Sequence, residues 1–274
     1  MKHHLKLLTM QTIKFFSFLF TCGALLLIYT SCNKQAAAGD LYKGQYKVSY
    51  GDSILYKTGK AADNIIFPEG RRCGKFSSFP QGLQIDERTG AINIAASEAG
   101  LRYRVDYTSP AGEVSSSFVI VSGINYADAY FKLYGTDSII APVYNADPAR
   151  AIPAANFDID GSARAKGCAI DTKTGKINLR QTARNGFFST LQNGYKKEVE
   201  IKYRIKDGSQ DAPQSLPVLL YYYNSLSDVP ADVVQTINDH WQQVLYTTTS
   251  GSITEARAAA IAKPRPPCVV IIAH

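Results

Sequence analysis

Histidine is scarce in this chain. There are four in 274 residues, and His3 and His4 lie in a basic leader, so only His240 and His274 remain for chemistry. No His-Glu-x-x-His pair is present to hold zinc, and no Gly-x-Ser-x-Gly turn is present to raise a serine nucleophile. Five cysteines are too few for a small disulfide-framed scaffold. Charged residues make up 19% and hydrophobic residues 45%, which excludes a disordered chain and favours one that buries a core. The formal charge of +7 falls to +4 once Lys2, Lys6 and Lys14 of the leader are set aside. That is too mild a balance to imply a nucleic-acid partner.

The leader itself runs from a basic Met1–Lys14 stretch into Phe15–Ser31, an uncharged apolar run of 17 residues, slightly short of the roughly 20 that a spanning helix needs. Thr30, Ser31 and Cys32 follow as small, small, cysteine, and residues 33–40 form a polar tether. This arrangement resembles a bacterial lipoprotein signal, although Tyr29 stands where that family usually has leucine. The resemblance implies that residues 1–31 are removed and that Cys32 carries acyl chains. The membrane lipid is then its first partner, at about 0.8 kcal/mol per buried methylene. A secretory signal or an uncleaved anchor are the alternatives. The tether (32–41) lacks the acidic cluster that often follows the cysteine of surface-exported lipoproteins. An outer-membrane location is what the resemblance implies, and the missing cluster leaves the periplasmic or surface face open.

Beyond the tether the chain repeats itself. Gly82–Ile94 (GLQIDERTGAINI) and Gly167–Leu179 (GCAIDTKTGKINL) agree at seven of thirteen positions, 85 residues apart. Tyr50-Gly51-Asp52 is echoed by Tyr134-Gly135 and Asp137, and Leu101–Val105 matches Ile201–Ile205 at an offset of 100. Phe118–Val121 meets Val218–Tyr221 at the same offset. Within each unit, apolar and charged residues alternate, as in Tyr103, Val105 and Tyr107 against Arg102, Arg104 and Asp106. This is the pattern of antiparallel strands with one face in a core. Ile-Asp-x-x-Thr-Gly-x-Ile reads as a hairpin, its aspartate accepting backbone N–H groups and its glycine taking positive φ.

Phe79–Ile92 followed by Ser97–Val105 is similar to the bacterial immunoglobulin-like repeat related to cadherin domains, with its Pro-x-Gly-Leu-x-Ile-Asp-x-x-Thr-Gly-x-Ile and Ala-Gly-x-x-Tyr-x-Val stretches. The second unit keeps Ile170–Ile177 and loses the proline and Ala-Gly features. The resemblance implies an all-β protein of two tandem immunoglobulin/cadherin-like β-sandwich domains, over 42–123 and 124–226. A small α+β segment over 227–274 completes the expected architecture. Such a fold does not fix an activity.

Gly70–Phe76 has the look of a phosphate loop but is one residue short and lacks Ser or Thr after Lys75. Calcium, which cadherin relatives bind between domains, would need more than Asp158-Ile159-Asp160-Gly161. The linker Ser122–Asp128 lacks those relatives' Asp-x-Asn-Asp-Asn run, so solvated turn aspartates are the favoured reading. No metal or cofactor is expected. Cys168 takes the place of Leu83 and reads as a small buried hydrophobe. Cys73 and Cys268 are either a bridge or two thiols.

The second unit's insertion, Gln181–Tyr195, carries two Asn-Gly steps around Phe187 and Phe188 and reads as an extra hairpin or protruding loop. Phe187, Phe188 and Tyr195 are therefore candidate ligand-binding residues that could stack on sugar rings, unless the two phenylalanines cover a sheet edge instead. In Tyr221-Tyr222-Tyr223 the middle ring must face away from its neighbours. Asp228 is placed as an N-cap before a helix carrying Val233, Val234, Ile237 and Trp241. Ser252–Glu255 opens a second helix. Pro264–Pro267 leads into a strand, Cys268–Ile272, expected to pack on the second unit or join one of its sheets. The expected function is non-enzymatic binding or adhesion at the cell envelope, to glycan or to another envelope protein. A spacer or assembly role is the alternative.

Overall fold

The computed structural model of the chain describes residues 46–70, 73–135, 138–235, 237 and 268–273. The leader, Cys32, the tether, His240, Trp241, the 252–255 capping box and the proline-rich connector lie outside these residues. So do Asp137, His274 and the side chain of Cys268, and with the last goes the choice between a bridge to Cys73 and two thiols. Cys73 is disulfide-bonded, and Cys168 is a free, buried thiol.

Strand outweighs helix among the described residues, and the helices there are few and short. The first half contributes β1 (Ile54–Leu55), β2 (Ile65–Ile66), β3 (Lys75–Phe79), β4 (Ile92–Asn93), β5 (Arg102–Thr108) and β6 (Val114–Val121). The second contributes β7 (Ile124–Tyr126), β8 (Ala129–Lys132), β9 (Ile139–Ile140), β10 (Pro142–Tyr144), β11 (Ala155–Phe157), β12 (Ile177–Asn178), β13 (Tyr195–Ile205), β14 (Gln214–Tyr223) and β15 (Cys268–Ile272). The two large sheets run β1-β6-β5-β3 and β11-β13-β14-β15-β8, and β2-β4, β9-β12 and β7-β10 are two-stranded pairs. Alternation places Tyr103, Val105 and Tyr107 in one core and Val199, Ile201, Tyr203 and Ile205 in the other. Their charged neighbours face outward, as period-two side-chain geometry requires.

The repeated turn is built the same way twice. Asp86 Oδ1 accepts the backbone N–H groups of Arg88 (3.0 Å) and Thr89 (2.7 Å). Asp171 Oδ1 accepts those of Lys173 and Thr174, both at 2.8 Å. Gly90 (φ +71°) and Gly175 (φ +69°) then close the turns, where a β-carbon would be strained. Ile85 bridges Ile92, and Ile170 bridges Ile177. Tyr50 donates its hydroxyl to the carbonyl of Gly90 (2.8 Å), and Tyr126 donates to that of Gly175 (2.5 Å).

These contacts correct the register of the repeat outside the turn. Tyr50 corresponds to Tyr126, not to Tyr134, which is 62% exposed. Phe76 pairs with Tyr107 and Phe157 with Tyr203. Because Phe76 packs under Gly90 as Phe157 packs under Gly175, Tyr203 answers to Tyr107 rather than Tyr103. Opposite Tyr107 stands Ser115, and opposite Tyr203 stands Gln214. It follows that Ile120 in β6 corresponds to Leu219 in β14.

The insertion is not a hairpin. Asn178 caps a helix over Leu179–Arg184, its Oδ1 accepting the N–H of Gln181 at 2.9 Å, and a turn carries the chain on to β13. In the same way Asn93 caps the 3-10 turn Ile94–Ala96 of the first unit. Asp228 does not cap the helix after it. Ser225 caps the 3-10 turn Leu226–Asp228, and Asp228 closes a reciprocal capping box with it. Helix over 231–235 follows, and Val229 and Ile237 are buried with Tyr223, Val270 and Ile272. The Cys268–Ile272 strand joins a sheet as expected. It lies inside that sheet, parallel to both β14 and β8.

Candidate functional site

The candidate stacking residues are the first to place. Phe187 and Phe188 are 0% and 1% exposed and belong to the second core. Their rings meet edge to face at 5.0 Å, Phe188 also meets Tyr222 at 6.0 Å, and the Lys197 ammonium lies 4.5 Å from the Phe187 ring centroid. The structure therefore corrects their assignment. Two large apolar rings following a capped helix gain more from burial, about 1.5–3 kcal/mol each, than a protruding loop would allow. Tyr195 is half-buried, its ring edge-on to Phe188 at 6.0 Å and its hydroxyl 3.3 Å from Ser189 Oγ. The tyrosine run is as expected: Tyr222 faces the second core, while Tyr221 and Tyr223 stack on the opposite face at 6.2 Å.

Asp158 is consumed by structure. Its carboxylate is buried and accepts the N–H groups of Ala163 (2.8 Å) and Arg164 (3.2 Å), and Arg164 Nε at 2.7 Å. Asp160 pairs with Lys202 at 2.8 Å. Lys202 and then Ser162 hold its carboxyl well below the usual range. Among the described residues no group of three His, Cys, Asp or Glu side chains is placed to hold a metal. Burial, with Asp158 nearby, pushes the Cys168 thiol up to about 12, which removes it as a nucleophile.

Two features remain. One is the junction between the units, where the chain passes from β6 to β7 with Ser122 fully buried. Asp207 Oδ2 accepts the hydroxyls of Ser122 (2.9 Å) and Tyr144 (2.8 Å). Gly123 donates its N–H to Asn145 Oδ1 (3.0 Å), and Ile124 donates to the Tyr203 hydroxyl (3.2 Å). Asn125 Nδ2 donates back to Glu98 Oε1 of the first unit (3.0 Å). Burial, with Asp207 adding, raises the Tyr144 phenol to about 12, so it stays a donor at neutral pH.

The other feature is the outer face of the β1-β6-β5-β3 sheet. Phe118 is 47% exposed and stands opposite Arg104 and diagonal to Arg102. The Arg102 guanidinium sits 4.0 Å above its ring. Arg104 Nε bonds Asp106 at 3.0 Å, and Ser116 donates to the same carboxylate at 2.6 Å. Val114 is also exposed. The sequence signal for this face was Phe118 itself, an aromatic on the polar side of the Ser-rich Val114–Val121 strand. No family model matches the chain, and no curated protein matches it.

Proposed function

We propose that this chain is a non-enzymatic, lipid-anchored protein of the cell envelope. In this reading two immunoglobulin-like β-sandwich units are fixed end to end and hold a binding face at a set distance from the membrane. The observation that carries it is the junction. Two units joined by a flexible linker need no shared buried polar groups, and inter-domain motion is the default for such chains. Here Ser122, Tyr144 and Asp207 meet around one carboxylate, and Asn125 reaches back to Glu98. Each such buried bond is costly to leave unmade, so the junction resists bending. Acylation at Cys32 supplies the anchor, and an envelope protein is the partner held.

The exposed Phe118 ring with Arg102 and Arg104 favours a second reading, in which the held ligand is glycan. An aromatic flanked by fixed donors is the chemistry that takes a sugar ring. The test has two arms. Metabolic labelling with a fatty acid should mark the wild type and not Cys32→Ala. A photo-crosslinker at Ser77 on the same face should then capture one discrete envelope protein, while Phe118→Ala leaves glycan-array binding unchanged. A Phe118-dependent glycan signal transfers the reading to glycan. Loss of neither the label nor the membrane association in Cys32→Ala removes the anchored reading.

A further inference from the structure

The first unit contains a template for the second, and the second departs from it in the strand order of its sheet. In the first unit β1 lies parallel to β6, Ile54 opposite Ile120 and Leu55 opposite Val121. Tyr130 of β8 lies four residues after Tyr126 as Ile54 lies four after Tyr50, so β8 is the sequence counterpart of β1. Yet β8 does not pair with β14. Between them runs β15, with Cys268 opposite Leu219 and Val269 opposite Leu220, the position against the hairpin that β1 holds in the first unit. β8 is displaced outward by one strand spacing, about 4.8 Å, and pairs with β15 through Ala129–Lys132.

We infer that the gap between β8 and β14 is a strand-acceptor site whose ligand is the 268–272 segment, and that a second copy of this chain can supply it. The site recognises its occupant in three ways. Both of its edges pair with the incoming backbone. Val269 and Ile271 enter the second core, and Val270 and Ile272 enter the cluster with Tyr223, Val229 and Ile237. An occupant must therefore be extended, parallel to β14 and apolar on both faces. The Val269–Ile272 run meets those conditions, and all four of its residues are buried. Thirty residues, 238–267, stand between Ile237 and this strand in the sequence, and thirty residues of backbone have an upper limit of reach of roughly 100 Å. The strand of one copy thus reaches the gap of another, and reciprocal exchange closes a two-fold dimer. The inference depends on neither lipid anchoring nor the Phe118 face.

The test uses full-length chains. Tagged and untagged copies, mixed at high concentration, should form mixed dimers whose fraction rises with concentration. Ile271→Asp should abolish them. A synthetic peptide of residues 267–273, offered in excess to the wild-type chain, should be taken up to one per chain, and a scrambled peptide should not. The peptide arm uses the unmutated protein, so it stands even if Ile271→Asp fails to fold. Dimers that persist in a folded Ile271→Asp chain overturn the inference, as does a wild-type chain that stays at one mass and takes up no peptide.

Discussion

The ring of Phe157 occupies the space that a side chain on Gly175 would need. A β-carbon built at Gly175 falls 2.8 Å from the ring, and Gly175 has φ +69°. The same holds for Gly90 and Phe76, at 2.7 Å and φ +71°. Gly175→Ala therefore carries a left-handed penalty of about 1–2 kcal/mol and an overpacking penalty of about 1–3 kcal/mol. Gly112, with φ +85° and nothing within 4 Å, carries only the first. Denaturant midpoints should rank wild type above Gly112→Ala and both above Gly175→Ala. Equal losses at the two glycines would remove the close approach as a cause.

Phe188→Ala should destabilise the second unit by about 3–5 kcal/mol, the usual cost of emptying a buried aromatic site. Any effect on ligand binding should then follow the loss of folded protein. Binding per folded molecule, measured alongside thermal unfolding, separates the two. A stable Phe188→Ala protein with reduced glycan binding would restore the stacking assignment.

Tyr103, Tyr126 and Tyr203 are fully buried, and burial raises each phenol above its usual value near 10. A raised folded value means that the neutral phenol is the form the fold prefers. Its contribution is complete below pH of about 10 and is lost as pH climbs toward the folded value. Alkaline titration followed at 295 nm should show these phenols ionising together with the loss of strand signal in circular dichroism. Full ionisation of all tyrosines while that signal is intact would contradict their burial.

Asp207→Ala leaves the Ser122 and Tyr144 hydroxyls without their shared acceptor, at a cost of about 1–3 kcal/mol. The larger effect should be on coupling. Wild-type protein should unfold in one transition, whereas the variant should show two, one for each core. Scanning calorimetry reads this directly, and a single unshifted transition would show that Asp207 does not join the units.

The turns were legible in the sequence because their chemistry is local: Asp86, Thr89 and Gly90 specify one another within five residues. Strand existence was legible for a related reason, since alternation survives any placement of the partner. Register was not. Tyr103 and Tyr107 both face the core, so a slide of four residues leaves the pattern of Arg102–Thr108 unchanged, and only the contact with Phe76 distinguishes them. The helix over Leu179–Arg184 was masked by Asn178, which pairs as the last residue of β12 and also caps the helix. Its two-residue Ile-Asn signal had a counterpart in Ile92-Asn93 that could have exposed it. The Phe118 face was visible as an aromatic out of phase, but nothing local ranks a sheet face above a loop.

The placement of β15 has a consequence for how the protein is made. A chain that emerges N-terminus first can finish the β1-β6-β5-β3 sheet once Val121 is available, with Val143 soon after to complete its core. The second sheet cannot be finished until residue 272 has cleared the same exit. In the interval β8 and β14 present bare edges, the condition under which strands recruit neighbours indiscriminately. Synthesis thus exposes one half of this molecule far longer than the other, and a chain cut short before residue 268 would carry that state permanently.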